Sequence, residues 1–347
     1  MRLFLLVIFV FIFLFSSCSN SRDEKEYIDL NYFEARGEGQ GSTYSIIYFD
    51  SLQRNIKPAV DSILEIIDKS MSTYHNDSYI SAINNGEMGL YPIDIHFYNV
   101  FKLSDSVFRI TNGLFDPTIK PLVNFWKVGE KGTSIDAVSL LELDSVLAIT
   151  GWGKNFFELI SERNGPYKIK KKHPYASLDF NAIAQGYTVD VIAQYLESIS
   201  VHDFFIELGG ETFTKGKSPR GDCWRIGIEK PSQSDQKQVN AVVNACHLAL
   251  ATSGSYRKFS EVEGKKYSHA IHPHSGFPVE HNLLSVSVVT DNCAFADAIA
   301  TAVLVMGTEK GITFLTNKRI EGYFIEAGSD GGFLITQTNG FEALLNK

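Results

Sequence analysis

The sequence predicts an α+β fold. Apolar residues recurring at spacings of three and four mark several helices, and separate β-branched and aromatic runs mark strands. The two kinds are interspersed without the regular strand–helix alternation of a doubly wound sheet. The chain has 347 residues, 44% apolar and 21% charged, which suffices for a large core. No repeat or long Pro/Gly/Ser linker divides Tyr27 to Lys347, so one unit is expected there. The formal charge of −8 leaves no basic footprint, which excludes nucleic acid as a partner.

Arg2 is followed by an apolar run from Leu3 to Phe15 and then by Ser16, Ser17 and Cys18. The run is shorter than the roughly 20 residues of a spanning helix, and small residues precede the cysteine. Residues 1–17 therefore resemble a bacterial lipoprotein signal peptide, whose removal leaves Cys18 as the lipidated N-terminus. The polar stretch 18–30 is expected to be a tether and 31–347 a single domain. The body is expected to be exported and lipid-anchored to a bacterial membrane, facing the periplasm or the outside. The other cysteines, Cys223, Cys246 and Cys293, form no C-x-x-C pair; they allow at most one disulfide, and three buried thiols are expected.

Ile56, Val60, Ile63, Leu64, Ile67 and Met71 predict a helix within Arg54–Met71. Phe97, Val100, Phe101, Val107 and Phe108 predict a second, ended by Asn112 and Gly113. A third is expected over Ala182–Ser198, and a last one over Cys293–Met306 between Asn292 as N-cap and Gly307. Strands are expected at Tyr44–Phe49, Phe204–Leu208, Trp224–Ile228, Leu283–Val289, Tyr323–Glu326 and Phe333–Thr336.

In NCAFADAIATAVLVMG, Asp297 and Thr301 lie four residues apart on one face of an almost wholly apolar helix. A carboxylate there is costly to bury unless paired, and with a hydroxyl beside it offers the hard oxygens that magnesium prefers. The bland alternative is an Asp at a solvated helix edge with Thr301 bonded back to a carbonyl. In SLDFNAIAQGYTVD a strand passes into a helix through small residues, which suits either a phosphorylated ligand or tight packing. YSHAIHPHSGFP holds His269, His272 and His274 on a Pro/Gly-broken loop, which fits contact with phosphate or solvent better than zinc. G-x-S-x-G and GxGxxG are absent, which argues against a hydrolase triad and a nicotinamide site.

In order, QGSTYSI, MSTYHNDSYISAIN, GLFDPTIKPLV, LDFNAIAQGYTVD, IELGGET, WRIGIEKP, ATSGSYRKF, HAIHPHSGFP and ADAIATAVLVMG resemble the ApbE family of FAD:protein FMN transferases. The resemblance implies a fold related to the T-fold, two intertwined halves with the FAD cleft between them. It implies a Mg2+ ion held by Asp297, Thr301 and the carbonyl of Ala182. It sets Gln40, Tyr74, Leu114, Phe115, Asp116, Asp179, Gln185 and Ile271 against FAD as the substrate, with Tyr74 and Phe115 offering flat apolar surface. The chain departs from the family pattern at Gln40, Asn181, Gln185, His272 and His274, and at Ala300, where some members carry a second carboxylate.

The activity implied is transfer of FMN from FAD to a Ser/Thr hydroxyl, with His269 as the base and AMP released. The acceptor implied is an electron-transfer flavoprotein with a Ser/Thr-Gly-Ala-Thr segment. The alternatives are a magnesium-dependent FAD pyrophosphatase, which needs the same residues, and a non-catalytic flavin-binding lipoprotein.

Overall fold

The computed structural model describes residues 32–126, 140–160, 165–231, 238–255, 259–262, 265–268, 270–329 and 331–346. The expected signal segment, Cys18, the tether and His269 lie outside the described residues.

The first half opens with hairpin β1 (Tyr32–Gly39) and β2 (Ser42–Phe49), followed by α1 (Lys57–Met71). An excursion then runs through α2 (Tyr79–Asn85), β3 (Gly89–Pro92), α3 (Ile95–Ile110), α4 (Lys120–Phe125), α5 (Leu140–Ala148), β4 (Phe157–Ile160) and β5 (Lys168–Lys171). Helix α6 (Ala184–Ser198) leads back into hairpin β6 (Phe204–Leu208) and β7 (Glu211–Lys215). A hairpin of β8 (Trp224–Glu229) and β9 (Val239–Ala245) precedes the second half. That half contains β10 (Leu248–Gly254), the pair β11 (Phe259–Val262) and β12 (Lys265–Ser268), then β13 (Leu283–Thr290). It closes with α7 (Cys293–Met306), α8 (Thr308–Lys318), β14 (Glu321–Ala327) and β15 (Phe333–Gln337).

Eight strands join in one sheet in the order β1-β2-β6-β7-β10-β13-β14-β15, every neighbouring pair antiparallel. The sheet divides at β7 and β10 into two units of one plan: two strands, two helices, two strands. In each unit the second strand pairs with the third, β2 with β6 and β13 with β14. The seam between the halves is the β7–β10 pairing, and α6 and α7 pack on each other above it.

Side-chain alternation explains what covers each face. Ala249 and Ala251 of β10 pack into the helix-side cores, while Leu248 and Leu250 pack with Trp224, Ile226 and Val243 of the β8–β9 hairpin. In β14, Phe324 joins the helix side, while Tyr323 and Ile325 join the hairpin side. Small residues at Ala249 and Ala251 let the helices approach the sheet closely. At β10 the sheet is covered on both faces, so that strand lacks the polar alternation that would reveal it in sequence.

Several expectations change in detail. Helix α1 starts at Lys57 because Pro58, within its first turn, needs no helical N–H partner. Helix α6 starts at Ala184, so Ala182 and Ile183 precede it. The helix expected to be last is followed by α8, with Gly307 at φ +76° ending one and starting the other. Asn112 (φ +52°) and Gly113 (φ +80°) end α3 as expected, and the Gly113 N–H donates to the Phe108 carbonyl at 2.8 Å.

The expectation of three thiols is corrected. Cys223 and Cys246 form a disulfide with Cα atoms 4.5 Å apart, and among the described residues only Cys293 is a buried thiol. The bond flanks the Trp224–Ala245 pair of the β8–β9 ladder, a register that spacing alone does not show. It closes a loop of 23 residues' separation. Replacing both cysteines by serine is expected to lower unfolding stability by about 3 kcal/mol in denaturant titrations. An unchanged midpoint would mean that ladder and packing alone fix the hairpin.

Candidate active site

The start of α7 is fixed on α6. Asn292 caps α7 by accepting from the Phe295 N–H at 2.8 Å. The carboxylate of Asp190, on α6, accepts from Asn292 Nδ2 and from the N–H groups of Cys293 and Ala294 at 2.7–2.9 Å. A carboxylate at a helix N-terminus satisfies orphan donors and the positive end of the helix dipole. Gly186 permits the close approach, since a Cβ there would lie 2.5 Å from the Cys293 carbonyl oxygen.

This approach places Asp297, one turn into α7, against the start of α6. Its Oδ2 accepts from the Gly186 N–H at 3.2 Å. In a regular helix that N–H would bond the carbonyl four residues back, which is Ala182. Among the described residues the Ala182 carbonyl receives no hydrogen bond. Thr301, a turn further on, has its hydroxyl 3.1 Å from Ser253 Oγ at the end of β10. Asp297 is 6% exposed, so the solvated-edge alternative is overturned, and Thr301 is bonded to Ser253 rather than to its own helix. Asp297 and Thr301 thus share one face of α7 at the seam, and Asp297 takes up the N–H that a regular helix would give to the Ala182 carbonyl.

Burial pushes the Asp297 carboxyl up to about 7; the Gly186 N–H works against this and the Asp190 charge adds to it. Asp190 is raised to about 6, by burial first, against the bonds from α7. Glu211, the first residue of β7, is raised well above the ordinary range by burial and then by the Asp297 charge. The sequence reading missed Glu211 and Ser253. An acid directly after a Gly-Gly turn was the available signal for Glu211.

Gln40 and Gln185 join this cluster. Gln40 holds the β1–β2 turn at φ +52°, its Nε2 donates to Thr188 Oγ1 at 2.7 Å, and its carbonyl accepts from Gln185 Nε2 at 3.4 Å. The Gln40 Oε1 is buried with no hydrogen-bond partner among the described residues.

Leu114, Phe115, Asp116, Asp179 and Ile271 form a second group. The Asp179 N–H donates to the Pro117 carbonyl at 2.8 Å, linking the two segments. Asp179 is buried with its carboxyl raised, Asn181 N–H donates to it at 2.8 Å, and Lys120 Nζ lies 3.8 Å away. Asp116 accepts from Thr118 N and Oγ1 at 2.7 and 2.5 Å and from Trp152 N at 3.1 Å, so both its oxygens hold the local loop. His274 Nε2 lies 2.9 Å from the Asn112 carbonyl, and Ile271 bridges Pro278, which brings the His-rich loop onto the turn before Leu114. Asp179 and Ala182 share one segment, so the two groups are neighbours.

One expectation is corrected. The Phe115 ring is 3% exposed and packed in the main core, so it offers no open apolar platform. Tyr74 is 82% exposed between α1 and α2, and no described contact joins it to either group. His281 Nε2 lies 2.8 Å from the Leu304 carbonyl and so steadies the last turn of α7. A cleft of about 1030 Å³ along α1 is lined by Gly39 and His75, next in sequence to Gln40 and Tyr74, but not by Asp297 or Thr301.

The profile of the ApbE family matches residues 40–324, which span both halves and every residue of both groups. The chain belongs to the ApbE family. It is 34% identical over 316 residues to the FAD:protein FMN transferase of Vibrio cholerae serotype O1, covering 90% of this chain and 92% of that one. It is 30% identical over 315 residues to the FAD:protein FMN transferase of Haemophilus influenzae, covering 89% and 90%. Among solved structures, the flavin transferase ApbE from Vibrio cholerae superposes with a TM-score of 0.78 at 32% identity, over 90% of this chain and 99% of that one. The Pseudomonas stutzeri flavinyl transferase ApbE in its apo form gives 0.79 at 30% identity, over 91% and 97%.

Proposed function

We propose that this chain is a FAD:protein FMN transferase that moves FMN from FAD to a Ser or Thr hydroxyl of an acceptor flavoprotein and releases AMP. One observation carries the reading: at the seam of an ApbE fold, a buried carboxylate and a hydroxyl share one face of α7, and the carboxylate takes the N–H that would otherwise bond the Ala182 carbonyl. Among the described residues Asp297 has no ion pair, and three hard oxygens from Asp297, Thr301 and Ala182 fit Mg2+. When bound, Mg2+ would neutralise charge on the FAD pyrophosphate.

The remaining work falls to the chain itself. Gln40, with its unpartnered Oε1, and Gln185 supply uncharged polar contacts to the nucleotide, and Asp179 offers a buried acceptor. The backbone at Leu114 and Phe115 and at Ile271 lines the site where the His-rich loop meets the α3 turn. Tyr74 presents its exposed ring as a stacking surface. The acceptor oxygen attacks the phosphorus on the riboflavin side, forming a P–O ester as the pyrophosphate P–O bond breaks. AMP leaves with the bridging oxygen, and His269 takes the hydroxyl proton. Binding in register supplies much of the acceleration.

The acceptor is an exported or membrane-bound electron-transfer flavoprotein with a Ser/Thr-Gly-Ala-Thr segment, and the enzyme is held beside it by lipid on Cys18. The signal-like N-terminus supports this siting, as does the Cys223–Cys246 bond, since disulfides persist outside the reducing cytoplasm.

The test is to mix enzyme, FAD, Mg2+ and a domain bearing that segment, and weigh the acceptor by intact mass spectrometry. A mass gain of one FMN is expected. His269→Ala should cut the rate by roughly 100-fold or more and flatten its dependence on pH near neutrality. An unmodified acceptor with free FMN and AMP would make the chain a pyrophosphatase instead.

A further inference from the structure

Glu211 follows directly on Gly209 (φ +65°) and Gly210 (φ +112°), the turn between β6 and β7. That turn presses on the start of α6, because a Cβ at Gly209 would lie 2.7 Å from Gln185 Nε2. Glu211 is 6% exposed, and its Oε2 has no hydrogen-bond partner among the described residues. The Cys293 thiol, one turn before Asp297 on α7, donates to the carbonyl of Thr212, next to Glu211, at 3.6 Å, so Glu211 faces the acidic turn of α7, where the Asp297 charge acts on it.

The three buried carboxylates around this turn of α7 are not equivalent. Asp190 is satisfied by three donors from the start of α7. Asp297 receives one N–H. Glu211 keeps an oxygen bare, and none of the ion pairs among the described residues brings a lysine or arginine to any of the three. Carboxylates buried side by side without a cation are strongly disfavoured, and a divalent ion between them satisfies both. Helix α7 supplies only one such group, Asp297 being its single acidic residue.

We infer that Glu211 supplies the second carboxylate from the sheet, so that Glu211 and Asp297 together hold a divalent cation before any nucleotide binds. The inference rests on reading Asp297 as a cation ligand. It gives the fold a reason to keep an acid at the seam, where every neighbouring charge opposes it.

The test uses the full chain in detergent, with Mn2+ as the probe and no nucleotide, followed by the loss of the free-ion signal in electron paramagnetic resonance. Wild type should bind one Mn2+. Glu211→Gln should weaken binding at least about tenfold, and Asp297→Asn should abolish it. Both variants should melt no lower than wild type in chelator. If Glu211→Gln melts lower, the titration is repeated on Glu211→Asp, where weaker binding supports the inference and unchanged affinity overturns it. Wild type without bound Mn2+ overturns it, because the carboxylates then do not suffice. Unchanged affinity in Glu211→Gln with loss in Asp297→Asn overturns the role of Glu211 but leaves Asp297 as a ligand. Unchanged affinity in both overturns the cation reading itself.

Discussion

Asp297→Ala is expected to lower FMN transfer by roughly a thousand-fold, the scale of removing a group that stabilises transition-state charge. The same side chain should burden the fold. In the metal-free protein its carboxyl titrates at about 7, against 3.8 for the ordinary group, because burial disfavours the charge. Between about pH 4 and pH 7 the folded state keeps a proton that the unfolded chain has released. The folded state then binds more protons, so stability falls as pH rises through that window and levels off above it. Asp297→Asn removes the charge and keeps the shape, so in chelator at pH 8 it should unfold at higher denaturant than wild type and show a shallower pH slope, the remainder coming from the raised carboxyls of Asp190 and Glu211. Mg2+ should raise the midpoint of wild type and leave that of Asp297→Asn where it was. A variant that transfers FMN at the native rate would remove Asp297 from the chemistry; one that is less stable in chelator would mean that its bond to Gly186 outweighs the buried charge.

The seam helix was legible because one segment carries every signal for it. Asn292 and Gly307 mark its ends, it is apolar on all sides, and the exceptions, Asp297 and Thr301, share a face. An acid that the environment should reject is visible without coordinates, and so is its pairing at four residues. Its partners were harder to see. The pattern places Ala182 within the helix, yet what frees its carbonyl is the diversion of the Gly186 N–H to Asp297, 111 residues further on in another helix. Glu211 became visible only when the β6–β7 turn was set against α6. Strand β10 escaped because its alternation is small against large rather than polar against apolar, a consequence of cover on both faces. The disulfide depends on a hairpin register, and the burial of Phe115 on tertiary packing, neither of which local pattern encodes.

Gly186→Ala is expected to damage fold and catalysis together, although alanine is the better helix former by about 1 kcal/mol. The added methyl would lie 2.5 Å from the carbonyl oxygen of Cys293, 2.7 Å from its carbonyl carbon and 2.8 Å from the Cα of Ala294. All three are backbone atoms of α7, so no rotamer change relieves the overlap. The helices would have to separate, and Asp190 resists this through its bonds to Asn292, Cys293 and Ala294. Overpacking of this kind costs about 1–3 kcal/mol, more than the propensity gain. Separation would also draw the Gly186 N–H from Asp297 and reshape the site between α6 and α7. The expected result is a net loss of about 1–2 kcal/mol in denaturant titrations and at least a tenfold fall in FMN transfer. Gly89→Ala serves as the control, since a Cβ there meets nothing within 4 Å. Should Gly186→Ala match that control in stability and rate, the closeness of α6 and α7 would not be what positions Asp297. Should it lose stability but keep its rate, the seam would be a packing feature alone, and the alignment of Asp297 would have to come from the sheet side, through Ser253 and Glu211.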